Sequence, residues 1–151
     1  MIEGVNTKKL VKHLDDRGFF MEVLRNDDFL FKKFGQFSLS FTYPGVIKAF
    51  HYHKLQDDLW FFPAGNAQVV LFDLRPDSKT KGETNIFYMG ENNHILLQIP
   101  AGVAHGYRVL GTVPAMIAYV TTESYQPEHP DEYRIPWDDP EIGFSWQTEN
   151  R

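Results

Sequence analysis

The chain has 151 residues, a net charge of −5 and no cysteine. That length suits one domain, residues 1–151, with a full core. The acidic balance and the lack of a basic run argue against a nucleic-acid partner, and zero cysteines exclude disulfides and fit a reducing cytoplasm. The N-terminus, MIEGVNTKKL, has no apolar stretch of signal-peptide length. No segment approaches the roughly 20 apolar residues of a membrane span.

Short strands are predicted for most of the chain. Val5 to Leu14 is short and mixed, and Phe19 to Arg25 follows the turn Asp15-Asp16-Arg17-Gly18. Asn26 to Phe34 is the one predicted helix, capped by Asn26 or Asp27 and ended by Gly35. Strands then follow at Gln36 to Tyr43, Val46 to Tyr52, Asp58 to Phe62 and Ala67 to Leu74. The series continues at Asn85 to Met89, His94 to Ile99, Ala104 to Leu110 and Ala115 to Thr121. Gly, Pro and charged turns separate them. This spacing indicates a sandwich or closed barrel rather than βαβ units, and an all-β jelly roll is the expected fold. The tail, Pro127 to Arg151, reads as an extended wrap with a turn at Asp138-Asp139-Pro140.

Two patterns carry chemistry. Gly45 to Gly65 reads G-x5-H-x-H-x4-D-x6-G, and Pro100 to His105 reads P-x-G-x2-H. Strand alternation puts His51 and His53 on one side with Ile47 and Ala49, and turns Lys48 away from His51. Together the patterns resemble the signature of the cupin superfamily. His51, His53, Asp58 and His105 suit a divalent Fe, Mn, Ni or Zn ion. One unligated imidazole can instead serve as a base.

Further blocks extend the match: DDRGFFMEV (Asp15 to Val23), VVLFDLRPDS (Val69 to Ser78), IPAGVAHGYRVL (Ile99 to Leu110), AYVTTESYQPEH (Ala118 to His129) and WDDPEIGFSW (Trp137 to Trp146). With GVIKAFHYH (Gly45 to His53), they make the chain resemble the RmlC-like family, the dTDP-4-dehydrorhamnose 3,5-epimerases. The resemblance implies a cofactor-independent, metal-free homodimer that inverts carbons beside the ketone of a dTDP-4-keto-6-deoxyhexose in deoxysugar or polysaccharide synthesis. It implies His51 as the base that removes the α proton and Tyr119 as the acid on the opposite face. His105 would line the same pocket. Arg17, Phe19, Glu22, Gln36 and Tyr125 match nucleotide- and sugar-binding positions, some of them often across a dimer interface.

Four departures point to a divergent branch that inverts one or two carbons. Asp58 stands where the family has an enolate-steadying lysine. Lys48 stands for an arginine, and His53 for a residue that is commonly Gln. No counterpart follows Trp146 for the aspartate that pairs with the base in many members, so Asp58 is expected to orient His51 or His53. The rival expectations are a metal-dependent cupin isomerase or oxygenase using His51, His53, Asp58 and His105, and a non-catalytic sugar-binding cupin.

Overall fold

A computed structural model describes residues 1–148; the last three residues of the expected wrap and domain lie outside the described residues. Twelve strands are formed among the described residues. They are β1 Asn6–Lys9, β2 His13–Asp15, β3 Gly18–Phe20, β4 Gln36–Thr42, β5 Ile47–Tyr52 and β6 Asp58–Ala64. The others are β7 Asn66–Asp73, β8 Thr84–Gly90, β9 Ile95–Ile99, β10 Val103–Leu110, β11 Ala115–Thr121 and β12 Tyr133–Arg134. One sheet runs β1-β9-β6-β11-β4 and the other β12-β5-β10-β7-β8, with β2-β3 a separate hairpin. This is the expected jelly roll.

Period-two patterning builds it, with β6, β7, β9 and β10 buried on both faces. Trp60 and Phe62 of β6 join Val69, Leu71, Tyr107, Val109 and Ile117 between the sheets. Their neighbours Leu59 and Phe61 face outward, under Leu10, Leu30, Met21 and Val23 of the N-terminal segment. Val70 and Ala104 face outward from the second sheet, under Ile142 and Trp146 of the tail. A fully buried valine, leucine, isoleucine or phenylalanine among these contributes about 1.5–3 kcal/mol. The tail is therefore a wrap, as expected, and it adds β12 to the edge of the second sheet. Turn residues also occupy Trp137–Asp138 and Pro140–Ile142.

The expected helix at Asn26 to Phe34 does not form. Isolated turns take its place, with Asp28 N–H donating to the Arg25 carbonyl and Phe31 N–H to that of Asp28. The Asp28 carboxylate accepts the Arg25 amide and pairs with Lys8 instead of capping a helix. Only Leu30 of this segment is buried, while Phe29 and Phe34 are exposed. So short a helix is marginal without an apolar face to bury.

Regular alternation fails in β5 as well. His51 pairs with His105 of β10, but Lys48 pairs with Tyr107, so β5 carries one extra residue over this stretch. The Ala49–Phe50 peptide within the bulge is cis. Ile47, Ala49 and Phe50 all pack outward. Lys48 thus faces inward with His51, contrary to the alternation expected from the sequence.

Candidate active site

The inner surface of the roll changes character along its length. One end is filled by apolar side chains. The other opens as a cavity of about 1100 Å³ lined by Lys48, His51, His53, Asp58, Tyr119 and Arg134, among others. Trp60 borders the two regions. Its ring meets the His105 ring edge-to-face at 5.0 Å, and its indole N–H donates to Asp58 Oδ2 at 3.0 Å.

The three histidines come from two loci that β-pairing brings together. His51 and His105 are cross-strand partners with ring centroids 4.1 Å apart, and the His53 ring lies 5.3 Å from that of His51. His105 Nδ1 donates to the Val103 carbonyl at 2.8 Å, which leaves Nε2 as the lone-pair nitrogen. That Nε2 is buried and has no hydrogen-bond partner among the described residues. His53 Nδ1 is bonded to the Asp131 carbonyl. The Asp131 carboxylate accepts the Lys54, Leu55 and Gln56 amides, which fixes the loop between His53 and Asp58.

Asp58 is anchored in the opposite sheet, between Thr121 of β11 and Ile99 of β9. Its carboxylate accepts from Gln56 Nε2 at 2.8 Å and from Trp60. It lies 3.6 Å from His105 Nε2 and 3.8 Å from His53 Nε2, beyond hydrogen-bonding distance. Of the expectation that Asp58 orients His51 or His53, the His51 half is not met, since no ion pair within 4.0 Å joins them among the described residues; His53 is the nearer of the two, at 3.8 Å and without a direct hydrogen bond.

Burial sets the charge states. It pushes His51 down to about 3, reinforced by the charge of a protonated His105 and opposed by Asp58. Burial likewise pushes His105 down to about 3, with His53 adding to it. Burial raises Asp58, against the pull of His53 and of its two hydrogen bonds. Both His51 and His105 are therefore neutral near pH 7, as a base or a lone-pair donor must be.

Gln36, Lys48, His53, Asp58, Tyr119 and Tyr125 join His51 around the cavity. His105 lies buried behind them, against His51. Tyr119 enters from β11, on the sheet facing His51. The Gln36 side chain accepts the Tyr125 amide at 3.0 Å and so ties the loop after β11 to β4. Arg17, Phe19 and Glu22 are elsewhere. They lie on or beside the exposed β2-β3 hairpin, where Arg17 pairs with Asp15 and Glu22 with Arg25.

Sequence inspection missed Trp60, Asp131 and Arg134. Trp60 reads as an ordinary core residue two places beyond Asp58. Asp131 and Arg134 lie in the tail; the Asp131 hydrogen bonds to His53 and the loop after it and the pairing of Arg134 with His51 bring them to the cavity.

The sequence profile of the dTDP-4-dehydrorhamnose 3,5-epimerase family matches residues 1–151. The spore coat polysaccharide biosynthesis protein SpsL of Bacillus subtilis is 68% identical over 151 residues, covering 100% of both chains. A probable low-salt glycan biosynthesis epimerase of Haloferax volcanii is 37% identical over 150 residues, 98% of this chain and 96% of that one. The crystal structure of a dTDP sugar isomerase from Desulfovibrio desulfuricans superposes with a TM-score of 0.90 at 33% identity, over 96% of this chain and 92% of that one. RmlC of Legionella pneumophila, a dTDP-6-deoxy-D-glucose-3,5-epimerase solved with dTDP-4-keto-L-rhamnose, superposes at 0.87 with 29% identity, over 99% and 82% of the two chains. The chain belongs to the dTDP-4-dehydrorhamnose 3,5-epimerase family, whose members are isomerases.

Proposed function

We propose that this chain epimerises a dTDP-linked 4-keto-6-deoxyhexose for polysaccharide synthesis, with His51 as base and Tyr119 as acid. The observation that carries this is their placement: His51 on β5 and Tyr119 on β11 line one cavity from opposite sheets. Inversion needs that arrangement, because one face of the carbon loses the proton and the other receives it. A neutral imidazole takes the proton α to the C4 ketone. The C–H electron pair moves into a new C=C bond, and the carbonyl pair moves onto oxygen as an enolate. Collapse of the enolate draws the Tyr119 proton to the opposite face, and solvent restores the phenol.

A cavity of about 1100 Å³ is ample for a nucleotide sugar. Lys48 and Arg134 in its wall supply charge for a diphosphate. The polysaccharide role is supported by the Bacillus subtilis relative's name. A cytoplasmic location is part of the proposal, and a chain without cysteine is compatible with it.

The proposal includes a homodimer. β4 is a sheet edge, and Phe37, Leu39 and Phe41 on it are exposed in strict alternation with the inward Ser38 and Ser40. So contiguous an apolar stripe calls for a partner surface. In this proposal the Arg17–Glu22 hairpin of one protomer serves the cavity of the other, as the family resemblance implies.

Nuclear magnetic resonance of dTDP-4-keto-6-deoxyglucose incubated with the protein tests the activity. Signals of an epimer inverted at C3, at C5 or at both are expected. An unchanged sugar, with other nucleotide 4-keto sugars equally inert, would overturn the proposal.

A further inference from the structure

We propose that His53, Asp58 and His105 hold a divalent first-row transition cation whose open coordination position faces the cavity and receives the substrate's ketone oxygen. The proposal rests on the epimerase function above and adds a partner for the enolate charge. Asp58 Oδ2 lies 3.6 Å from His105 Nε2 and 3.8 Å from His53 Nε2. Two ligands each about 2.1 Å from one ion sit roughly 3–3.5 Å apart, so contraction by a few tenths of an ångström completes the shell. These spacings are too long for direct hydrogen bonds and within a few tenths of an ångström of what a shared ion needs.

The second observation is the unpartnered His105 Nε2, buried and aimed at the same point. An unsatisfied buried acceptor is costly, and a metal ion satisfies it. The outer contacts fit as well. Both histidines bond a backbone carbonyl through Nδ1, which presents Nε2 as the ligand. Gln56 and Trp60 steady the carboxylate. Two imidazoles and one carboxylate suit Mn, Fe, Co, Ni or Zn.

His51 differs from this trio in its relation to Asp58, although its ring packs against that of His105 at 4.1 Å. Its ligand nitrogen lies within 4.8 Å of the others, yet it has no contact within 4.0 Å of Asp58. It stays free to take the proton while the ion holds the oxygen. An enolate formed beside the Asp58 carboxylate without a cation would be repelled; the ion reverses that field.

The test uses untagged protein stripped with chelator and titrated with cobalt(II) chloride. Bound cobalt is measured by elemental analysis and by its visible ligand-field band. One cobalt per chain is expected for the wild type and for His51→Ala. Affinity should fall at least tenfold in Asp58→Asn and in His53→Gln, each checked for folding by circular dichroism. No stoichiometric binding to the wild type would overturn the site. Solvent exchange of the substrate's α protons, run on stripped and reloaded protein, separates the two proposals. Loss on stripping and return on reloading are expected. Undiminished exchange in stripped protein would overturn the catalytic ion and leave the epimerase standing. Cobalt binding with every nucleotide 4-keto sugar inert would overturn the epimerase, and with it the ion's catalytic role.

Discussion

Gly106 of β10 lies against Ala49 of β5 so closely that a Cβ on Gly106 would come within 2.3 Å of that of Ala49. The contact sits at the β5 bulge, between the His51–His105 and Lys48–Tyr107 pairs. The backbone of Lys48 is also close, its carbonyl oxygen 2.8 Å from the same point. The missing side chain thus lets the bulge close, and the bulge turns both Lys48 and His51 into the cavity.

Gly106→Ala should therefore cost about 1–3 kcal/mol, the usual penalty for overpacking a tight site. Urea unfolding measures this. Turnover should fall further than in Lys48→Ala, because His51 moves together with Lys48. A variant as stable and active as the wild type would show that the bulge is not held by this contact.

Removing the base and removing the acid should have different effects. His51→Ala should lose 10²-fold or more of both proton exchange and epimerisation, a general-base effect being about 10²–10⁴-fold. Tyr119→Phe should still exchange the α proton but invert the carbon much more slowly. Mass spectrometry of recovered substrate in heavy water, beside product analysis, distinguishes the two. Equal losses in Tyr119→Phe would place Tyr119 outside the proton-return step.

Acid should destabilise the metal-free fold. His51 and His105 titrate near 6.5 when unfolded, and burial pushes each down to about 3 when folded. Between these values the unfolded chain binds more protons, so the contribution of the neutral rings is whole above about pH 6.5. It is lost as pH falls toward 3, by up to about 1.4 kcal/mol per pH unit for each ring. Urea midpoints at pH 7.5, 6 and 5, with chelator present, should decline. The decline should be shallower in His105→Gln.

The apolar edge makes a separate prediction. Leu39→Lys combined with Phe41→Lys should convert a dimer to a monomer by sedimentation velocity, since both side chains are solvent-exposed in the single chain. The fold should survive, and nucleotide-sugar affinity should drop as the Arg17 hairpin leaves. A wild type that sediments as a monomer would remove the dimer from the account.

Much of this architecture can be read along the chain, because strands buried on both faces, such as Asp58–Ala64, are continuous apolar runs between turn residues. The convergence of His51, His53, Asp58 and His105 follows from motif spacing. Lys48 was misplaced because one inserted residue reverses every side chain beyond it, and nothing local marks a bulge. The Asn26–Phe34 segment has helical punctuation but lacks the buried face that would stabilise a helix. Asp131 and Arg134 depend on β12 docking onto β5, a contact about 80 residues distant in sequence that no local pattern encodes.

Deuterium incorporation at C3 and C5 of dTDP-4-keto-6-deoxyglucose in heavy water tests the central claim most directly. Wild-type protein should place deuterium at one or both carbons, and His51→Ala should place none above the uncatalysed rate. Exchange by His51→Ala at the wild-type rate would contradict the assignment of His51 as the base.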